Sequence, residues 1–181
     1  MSNAPIPNLS IYSTKRLYVE AADAAYIATN KPLLMLRAVE LLTPAVTSEL
    51  PPYFQNVTDL GKAEQWLTQV RQGSRLFVVT KMSDQQVIGF MFVYPDDQNR
   101  AHLGYLLGEN YWRQGFALEL LKDFITWAEQ EREFTTVIAG VSQDNTPSQK
   151  LLNKLGFSTQ GGADNTAQFY HYRLKNSENR E

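Results

Sequence analysis

The sequence predicts a mixed α/β (α+β) fold in one domain spanning residues 8–175, followed by a polar tail at 176–181. We expect a twisted, mostly antiparallel sheet of six to seven strands flanked by about four helices. Segments with a strand period and segments with a helix period are interleaved along the chain. Polar turns join consecutive strands as hairpins. The 181 residues, 43% of them hydrophobic, can build one sizeable core.

The first part of the chain predicts one strand, a broken helical region and a loop. Residues 12–21 have the pattern of a strand, and residues 23–42 have that of a helix. Pro32 is expected to divide this helix into two pieces, because proline lacks the amide that a helix interior needs. Several prolines in residues 43–56 predict a long surface loop, a feature that is often functional.

The middle of the chain predicts a helix and then three strands. Residues 58–73 place Leu60, Ala63, Leu67 and Val70 on one helical face. Strands are predicted at 74–82, 86–95 and 100–108, and short polar turns separate them.

Helices and strands alternate in the last third. Helices are predicted at 115–131 and 146–155, and strands at 135–141 and 167–174. A strand that returns beside an earlier one through a helical crossover is parallel to it, so we expect the sheet to be mixed.

Composition excludes several kinds of site. The chain has no cysteine and only two histidines, so it cannot form a thiolate metal site, a disulfide or a histidine-rich metal cluster. A net charge of -2 gives no support to a nucleic-acid-binding protein. Because we find neither a signal core nor an apolar run long enough for a membrane span, we expect a cytoplasmic protein without a membrane partner.

The stretch 102–128 carries the clearest chemical signal. A strand ends near Leu107, and a helix begins at Gly115, where the first amides have no partner within the helix. Such a helix start attracts phosphate, and Arg113 adds a positive charge. An ordinary helix start after a strand fits the same pattern, so both interpretations stay open. The glycines are too few for a dinucleotide fingerprint, and the lysine of a phosphate-binding P-loop is missing.

Four ordered motifs resemble the GNAT superfamily of N-acetyltransferases. LGYLLGENYWRQGFALELL resembles its cofactor-binding motif, and STKRLYV resembles the opening strand of the branch that acetylates ribosomal-protein N-termini. DNTPSQKLLNKLGF and the hairpin LFVVTKMSDQQVIGFMFVY resemble a later motif and the central strands of that branch. The resemblance extends from about residue 10 to residue 174. It implies a GNAT fold with two strands spread apart beside the cofactor helix.

The resemblance implies acetyl-CoA as cosubstrate and an amine as acceptor, with no metal. The acceptor amine attacks the thioester directly, and a backbone amide near Leu106 or Leu107 polarises the carbonyl oxygen. The implied contacts are to backbone groups, along one strand for the pantetheine arm and at one helix start for the diphosphate. These residues are Tyr105, Leu106 and Leu107 for the arm, and Arg113, Gln114, Gly115, Phe116 and Ala117 for the diphosphate.

The proton donor expected in many members is absent. The resemblance places the usual tyrosine at Leu152, whereas the N-terminal branch has a serine that matches Ser148. We interpret Ser148 as a hydrogen-bond donor or relay to the leaving sulfur. A purely structural interpretation competes, because Thr146, with Pro147 and Gln149, has the pattern of a capping box that would place Ser148 in an ordinary first turn.

Four further polar residues are candidates. Asn145 either makes a turn or, as the resemblance implies, bonds the pantetheine amides. His102, which shares a strand face with Gly104 and Leu106, is a candidate base, although a strand histidine is often a plain surface residue. Glu40 and Glu49 border the acceptor region, and the sequence does not choose between them.

Three functions remain open at this point. The first is an N-acetyltransferase acting on a protein N-terminus or a small amine, as a monomer or a homodimer. The second is a non-catalytic acyl-CoA sensor, for which the missing tyrosine is the support. The third is a structural protein without a cofactor. His171 is expected to be a plain surface or packed residue. Tyr111 and Trp112 are expected to pack under the loop that precedes Gly115.

Overall fold

An eight-stranded sheet runs through residues 10–160 and 167–175, the part of the chain that the computed structural model describes. The strands are β1 (Ser10–Ser13), β2 (Leu17–Ala21), β3 (Arg75–Lys81), β4 (Gln86–Pro95), β5 (Arg100–Leu107), β6 (Thr136–Ser142), β7 (Ser158–Thr159) and β8 (Ala167–Arg173). They lie in the order β1-β2-β3-β4-β5-β6-β8-β7, and β5 and β6 form the parallel pair among antiparallel neighbours. The mixed, mostly antiparallel sheet is confirmed.

Helices cover this sheet from both sides. They are α1 (Ala24–Leu41), α2 (Pro44–Thr47), α3 (Leu60–Gly73), α4 (Phe116–Glu131) and α5 (Thr146–Lys154). One buried cluster joins α4 and α5 to one face of the sheet, and a second joins α1 and α3 to the other face of β3, β4 and β5. The central strand β4 contributes alternate residues to the two clusters and is buried from Val87 to Val93.

Pro32 does not divide the first helix, and that prediction was wrong. Helix α1 is continuous through Pro32. Its inward side carries Ile27, Leu34 and Ala38, of which the last two are fully buried. Burying such side chains yields about 1.5–3 kcal/mol for each large one, and together they outweigh the roughly 3 kcal/mol that an interior proline costs.

The segment 43–56, predicted to be a loop, contains a short α-helix and a 3-10 turn. Thr43 caps α2 by accepting a hydrogen bond from the amide of Val46, and a 3-10 turn follows at Pro52–Phe54. Phe54 is buried, and its ring meets the edge of Phe92 at a centroid distance of 5.2 Å. The prolines begin short helices because a proline fits the first helical position.

The predicted first strand is two strands. A turn at Thr14 separates β1 from β2, and its hydroxyl accepts hydrogen bonds from the amides of Arg16 (3.1 Å) and Leu17 (2.9 Å). This local bonding competes with a continuous strand ladder. The turn extends Arg16 toward the start of α4.

Candidate active site

Strands β5 and β6 pair along only three residues and then separate. The paired residues are Arg100 to His102 on β5 and Thr136 to Ile138 on β6. Both strands continue, β5 to Leu107 and β6 to Ser142. We call the wedge between their diverging ends the strand gap. A parallel pair that stops early leaves backbone groups on both strands without a ladder partner.

The backbone of β5 alternates between β4 and the strand gap. The amide of Gly108 bonds the Ile88 carbonyl, and the amide of Asp96 bonds the Arg100 carbonyl, so even-numbered residues of β5 turn their backbone groups to β4. A Cβ added to Gly89 would collide with the Leu106 carbonyl oxygen, which places that oxygen on the β4 side.

The same alternation directs the backbone groups of Tyr105 and Leu107 toward the strand gap. Leu106 therefore differs from its neighbours, because its backbone faces β4 and its side chain lies in the core beneath α1 and α3.

Residues 113–117, which we call the Gly115 turn, precede and begin α4. Arg113 has a φ of 59° and Gly115 a φ of 80°, so two left-handed residues flank Gln114. Such alternation turns successive amides toward one point and makes a concavity that binds anions. Gly115 is the N-cap of α4 and offers no side chain to the first amides, so the Phe116 and Ala117 amides at the helix start are available to a ligand.

Arg16 supports the Gly115 turn from behind. Its Nε donates to Glu119 Oε2 at 2.7 Å, its Nη1 donates to the Gln114 carbonyl at 3.1 Å, and its guanidinium lies 4.2 Å from the centre of the Phe116 ring. Burial works to raise the pKa of Glu119, but hydrogen bonds from Thr14 and Arg16 outweigh it and hold that pKa below its usual value. A negative charge in the first turn of α4 is thereby neutralised.

Tyr105 and Ser148 meet beside the strand gap. The phenol oxygen of Tyr105 lies 3.4 Å from Ser148 Oγ, which joins β5 to the first turn of α5. Burial raises the pKa of the Tyr105 phenol, although the hydrogen bond with Ser148 works in the opposite direction. The phenol is therefore protonated at neutral pH. Through this pair, β5 supplies a tyrosine hydroxyl next to the first turn of α5.

The α5 cap differs from the prediction. Asn145, and not Thr146, is the N-cap, and its Oδ1 accepts a hydrogen bond from the Ser148 amide at 3.2 Å. Gln149 bonds the carbonyls of Ser142 and Gln143 through its Nε2 instead of completing a capping box. The turn role of Asn145 is thus observed, and the cap fixes the backbone of Ser148.

His102 lies apart from Ser148. Strand alternation places its side chain on the face opposite to that of Tyr105, in the last row where β5 and β6 still pair. Its Nε2 is 2.9 Å from Asp96 Oδ2. His171 lies on the same face, two strands away, and its pKa is lowered by burial and by the charges of Arg100 and His102.

The other residues singled out in the sequence lie in different surroundings. Leu152, at the position of the usual tyrosine, is fully buried. Glu40 pairs with Arg37, and Glu49 is exposed. Trp112 is 45% exposed rather than packed under the loop, and its indole N–H donates to the Leu107 carbonyl at 2.7 Å. Tyr111 contacts Phe116 edge-on at 6.4 Å.

The described residues contain neither a metal-binding cluster nor a membrane-spanning helix. Residues 10–160 and 167–175 hold no group of three or more His, Cys, Asp or Glu placed to bind a metal ion. Within the same ranges, no helix has the length and apolar content that crossing a membrane requires.

Comparison with known proteins identifies the family. Residues 34–158, more than half of the chain, match the family model of the acetyltransferase (GNAT) domain. The chain belongs to the GNAT acetyltransferase family. This GNAT chain is 32% identical over 111 residues to an uncharacterized N-acetyltransferase, p20, of Bacillus licheniformis. The match covers 58% of this chain and 62% of p20, so it spans less than two thirds of that relative.

Solved structures share the GNAT fold of this chain. RimL, the ribosomal L7/L12 α-N-protein acetyltransferase solved with coenzyme A, superimposes with a TM-score of 0.72 at 16% identity, covering 92% of this chain and 98% of RimL. Spermidine N-acetyltransferase from Vibrio cholerae, solved with CoA and spermine, gives 0.69 at 13% identity, with coverage of 90% and 98%. At these identities the likeness concerns the fold.

Two contributors to this GNAT site were missed in the sequence. The resemblance implies a role for the backbone of Tyr105 but none for its side chain. It also gives no role to Arg16 of the motif STKRLYV. A basic residue in a turn carries no local signal for a partner more than 100 positions later, and the Arg16–Glu119 contact separates residues by 103 positions.

Proposed function

We propose that this GNAT chain transfers the acetyl group of acetyl-CoA to a primary amine. The observation that carries the proposal is that the chain runs from the strand gap, at the end of β5, into the Gly115 turn at the start of α4. One ligand with a diphosphate and an extended amide arm would use both features. Similar proteins solved with coenzyme A support the choice of donor. A location in the cytoplasm and a monomeric or homodimeric state stay predictions.

The donor is held by backbone groups. Gln114, Gly115, Phe116 and Ala117 present amides to the diphosphate, with Arg113 adding charge. Tyr105 and Leu107 offer their backbone groups to the amide arm across the strand gap. Leu106 leaves the proposed contact set, because its carbonyl lies against Gly89.

The bound thioester would supply an activated acetyl group, and the chain would polarise and position it. The Leu107 amide faces the strand gap and is the proposed donor to the carbonyl oxygen. The Trp112 indole fixes the Leu107 carbonyl, and so orients the end of β5. An acceptor α-amine, with an ordinary pKa of about 7.7–8.0, is partly neutral at physiological pH and needs little help from a base.

Ser148 is the proposed hydrogen-bond donor to the leaving sulfur. Its amide is fixed by Asn145, and its hydroxyl meets the Tyr105 phenol at 3.4 Å. When the phenol donates to Ser148 Oγ, the serine proton points away from Tyr105 and is free to turn to the sulfur. Tyr105 is thus a positioning residue. We do not assign a base. His102 lies on the face of β5 opposite to that of Tyr105, and its Nε2 is 2.9 Å from Asp96 Oδ2.

The acceptor is proposed to be a protein N-terminus or a small amine. Similar folds act on both kinds, since RimL acetylates a ribosomal protein and the Vibrio enzyme acetylates spermidine.

Release of free CoA thiol should be measured with acetyl-CoA and a panel of amines that includes short peptides, spermidine and amino acids. Turnover with any of them supports the enzyme. Binding of acetyl-CoA by calorimetry with no turnover on any amine would instead favour the sensor, and absence of binding would overturn both.

A further inference from the structure

The indole ring of Trp112 is an exposed apolar surface next to the proposed donor site. Instead of packing under the loop, this side chain leaves 45% of its surface exposed. Single exposed apolar side chains are common on proteins, so position decides whether one of them has a role. The other large hydrophobic residues that the described part of the chain exposes lie elsewhere, on α1, α3 and β8, and are Leu33, Leu36, Leu60 and Phe169.

Two hydrogen bonds fix the position of Trp112. Its backbone amide donates to the Glu109 carbonyl at 3.1 Å, at the end of a 3-10 turn formed by Glu109–Tyr111. This turn lets the side chain reach back to β5, where the indole N–H donates to the Leu107 carbonyl at 2.7 Å. The ring therefore cannot swing away without breaking a hydrogen bond. A side chain that is already held in place loses little further rotamer freedom when a ligand binds to it.

The Leu107 carbonyl that holds the ring belongs to the free edge of β5. The pairing of β5 with β6 ends at His102, and Leu107 lies beyond it. The amide of Gly108 bonds the Ile88 carbonyl of β4, so strand alternation turns the backbone groups of Leu107 away from β4. The bond from Trp112 agrees with this direction. The indole N–H thus takes the place of a neighbouring strand at the edge of the strand gap.

A donor bound as proposed has to pass this ring. The Gly115 turn begins at the residue that follows Trp112, and the proposed backbone contacts of the arm are at Tyr105 and Leu107. A ligand with its diphosphate on that turn and its arm along the edge of β5 therefore crosses the place where the indole bonds Leu107. In coenzyme A the part of the arm next to the diphosphate is the pantoyl group, which carries two methyl groups on one carbon. An aromatic face suits such a branched apolar group.

We propose that the Trp112 ring binds the pantoyl segment of acetyl-CoA and so selects a donor with an apolar arm after its diphosphate. This inference rests on the proposed function and deepens it, since it adds a side chain to a donor site made of backbone groups. Covering about half of the exposed part of a tryptophan removes enough apolar area from water to change a dissociation constant about tenfold.

The first test is calorimetry with two ligands, CoA and its nucleotide half, 3′-phosphoadenosine 5′-diphosphate, which ends at the diphosphate. Trp112→Ala should weaken CoA binding about tenfold and leave the affinity for the nucleotide half unchanged. Trp112→Phe keeps a smaller ring without the N–H and should lie between the native chain and Trp112→Ala. Leu60→Ala, which removes an exposed apolar side chain from α3, should bind both ligands normally.

Two outcomes of this test would overturn the inference. The first is normal CoA affinity in Trp112→Ala. The second is an equal loss of affinity in Trp112→Phe and Trp112→Ala, because the indole N–H would then act only by orienting Leu107.

Fluorescence tests the contact without removing the ring. Trp66 and Trp127 are present in both the native chain and Trp112→Phe, so the difference between their emission spectra reports Trp112. Saturating CoA should shift this difference spectrum to shorter wavelength, because the ring leaves water, whereas the nucleotide half should not. CoA that binds without such a shift would overturn the inference and leave the proposed function standing. Failure of the native chain to bind CoA would overturn the function itself.

Discussion

Gly115 is the residue on which the diphosphate site depends most directly. Its φ of 80° suits glycine, and a Cβ there would already approach Arg16 Nη2 at 3.4 Å. Gly115→Glu adds strain, bulk and a negative charge where phosphate oxygens are proposed to lie. We expect calorimetry to detect no CoA binding by this variant. Gly61→Glu, at an exposed position of α3, is the control; normal affinity in the Gly115 variant would refute the site.

The hydroxyl groups of Ser148 and Tyr105 can be tested by variants that change the packing of these side chains little. Ser148→Ala should lower kcat by about tenfold to a hundredfold with little change in KM for acetyl-CoA. Tyr105→Phe keeps the ring and removes only the hydroxyl, so it should lower kcat less. The double variant should be no slower than Ser148→Ala, because the phenol acts through the serine. Additive losses would show that the two hydroxyls act independently, and Tyr172→Phe provides a tyrosine control.

Individual contacts of the site were partly visible in the sequence. The helix start at Gly115 and the serine at Ser148 follow from local patterns and from resemblance. The partner of Ser148 did not follow, because Tyr105 reaches it from 43 positions away through the sheet register. The orientation of Leu106 could not be deduced either, since strand parity depends on which hydrogen-bonded pair begins the ladder.

At the scale of elements, Glu119 links α4 to the turn between β1 and β2. Hydrogen bonds from Arg16 and Thr14 hold its pKa below the ordinary value, so its stabilising effect is present at neutral pH and is lost as pH falls from about 4.3 through the lowered pKa. Glu119→Gln should reduce the free energy of unfolding by about 1–3 kcal/mol at pH 7.

Urea unfolding as a function of pH checks this expectation. The difference between the native chain and Glu119→Gln should shrink as pH falls below about 4, because the native carboxyl becomes protonated there. Glu131→Gln, at an exposed position of the same helix, should show a small and flat difference. A pH-independent difference for Glu119→Gln would mean that shape and not charge is responsible.

Helices and strands could be predicted from the sequence where a regular hydrophobic period extends over many residues. Helices α3 and α4 and the strands from β3 to β6 lie close to their predicted positions. The errors concern proline and the turn at Thr14 that divides the first predicted strand into β1 and β2. Pro32 lies within α1 because tertiary burial of that helix outweighs local preference. The prolines of residues 43–56 begin helical turns, one of which ends at the buried Phe54. Local patterns do not report such packing energies.

At the scale of the whole molecule, binding of acetyl-CoA should raise the thermal stability of the folded chain. A ligand present at a hundred times its dissociation constant adds about 2.7 kcal/mol, and each kcal/mol raises the Tm of a domain of this size by roughly 2–4 °C. Acetyl-CoA at that excess should therefore raise the Tm by about 5–11 °C in a thermal scan. Gly115→Glu should show no shift. An unchanged Tm for the native chain would argue against any cofactor.

The three-residue pairing between β5 and β6 is the weakest boundary between neighbouring long strands of the sheet. The pairs β4–β5 and β6–β8 are hydrogen-bonded along most of their length, whereas β5 and β6 pair over three residues. Partial unfolding follows the weakest boundary, so hydrogen exchange at the amides of Val137 and Ile138 should report a detachment of β6 and β8 that costs less than global unfolding. A donor arm lying in the wedge would act as a brace and slow that exchange. The same shortage of strand pairing that admits the substrate would thus make the empty protein depend on its substrate for rigidity.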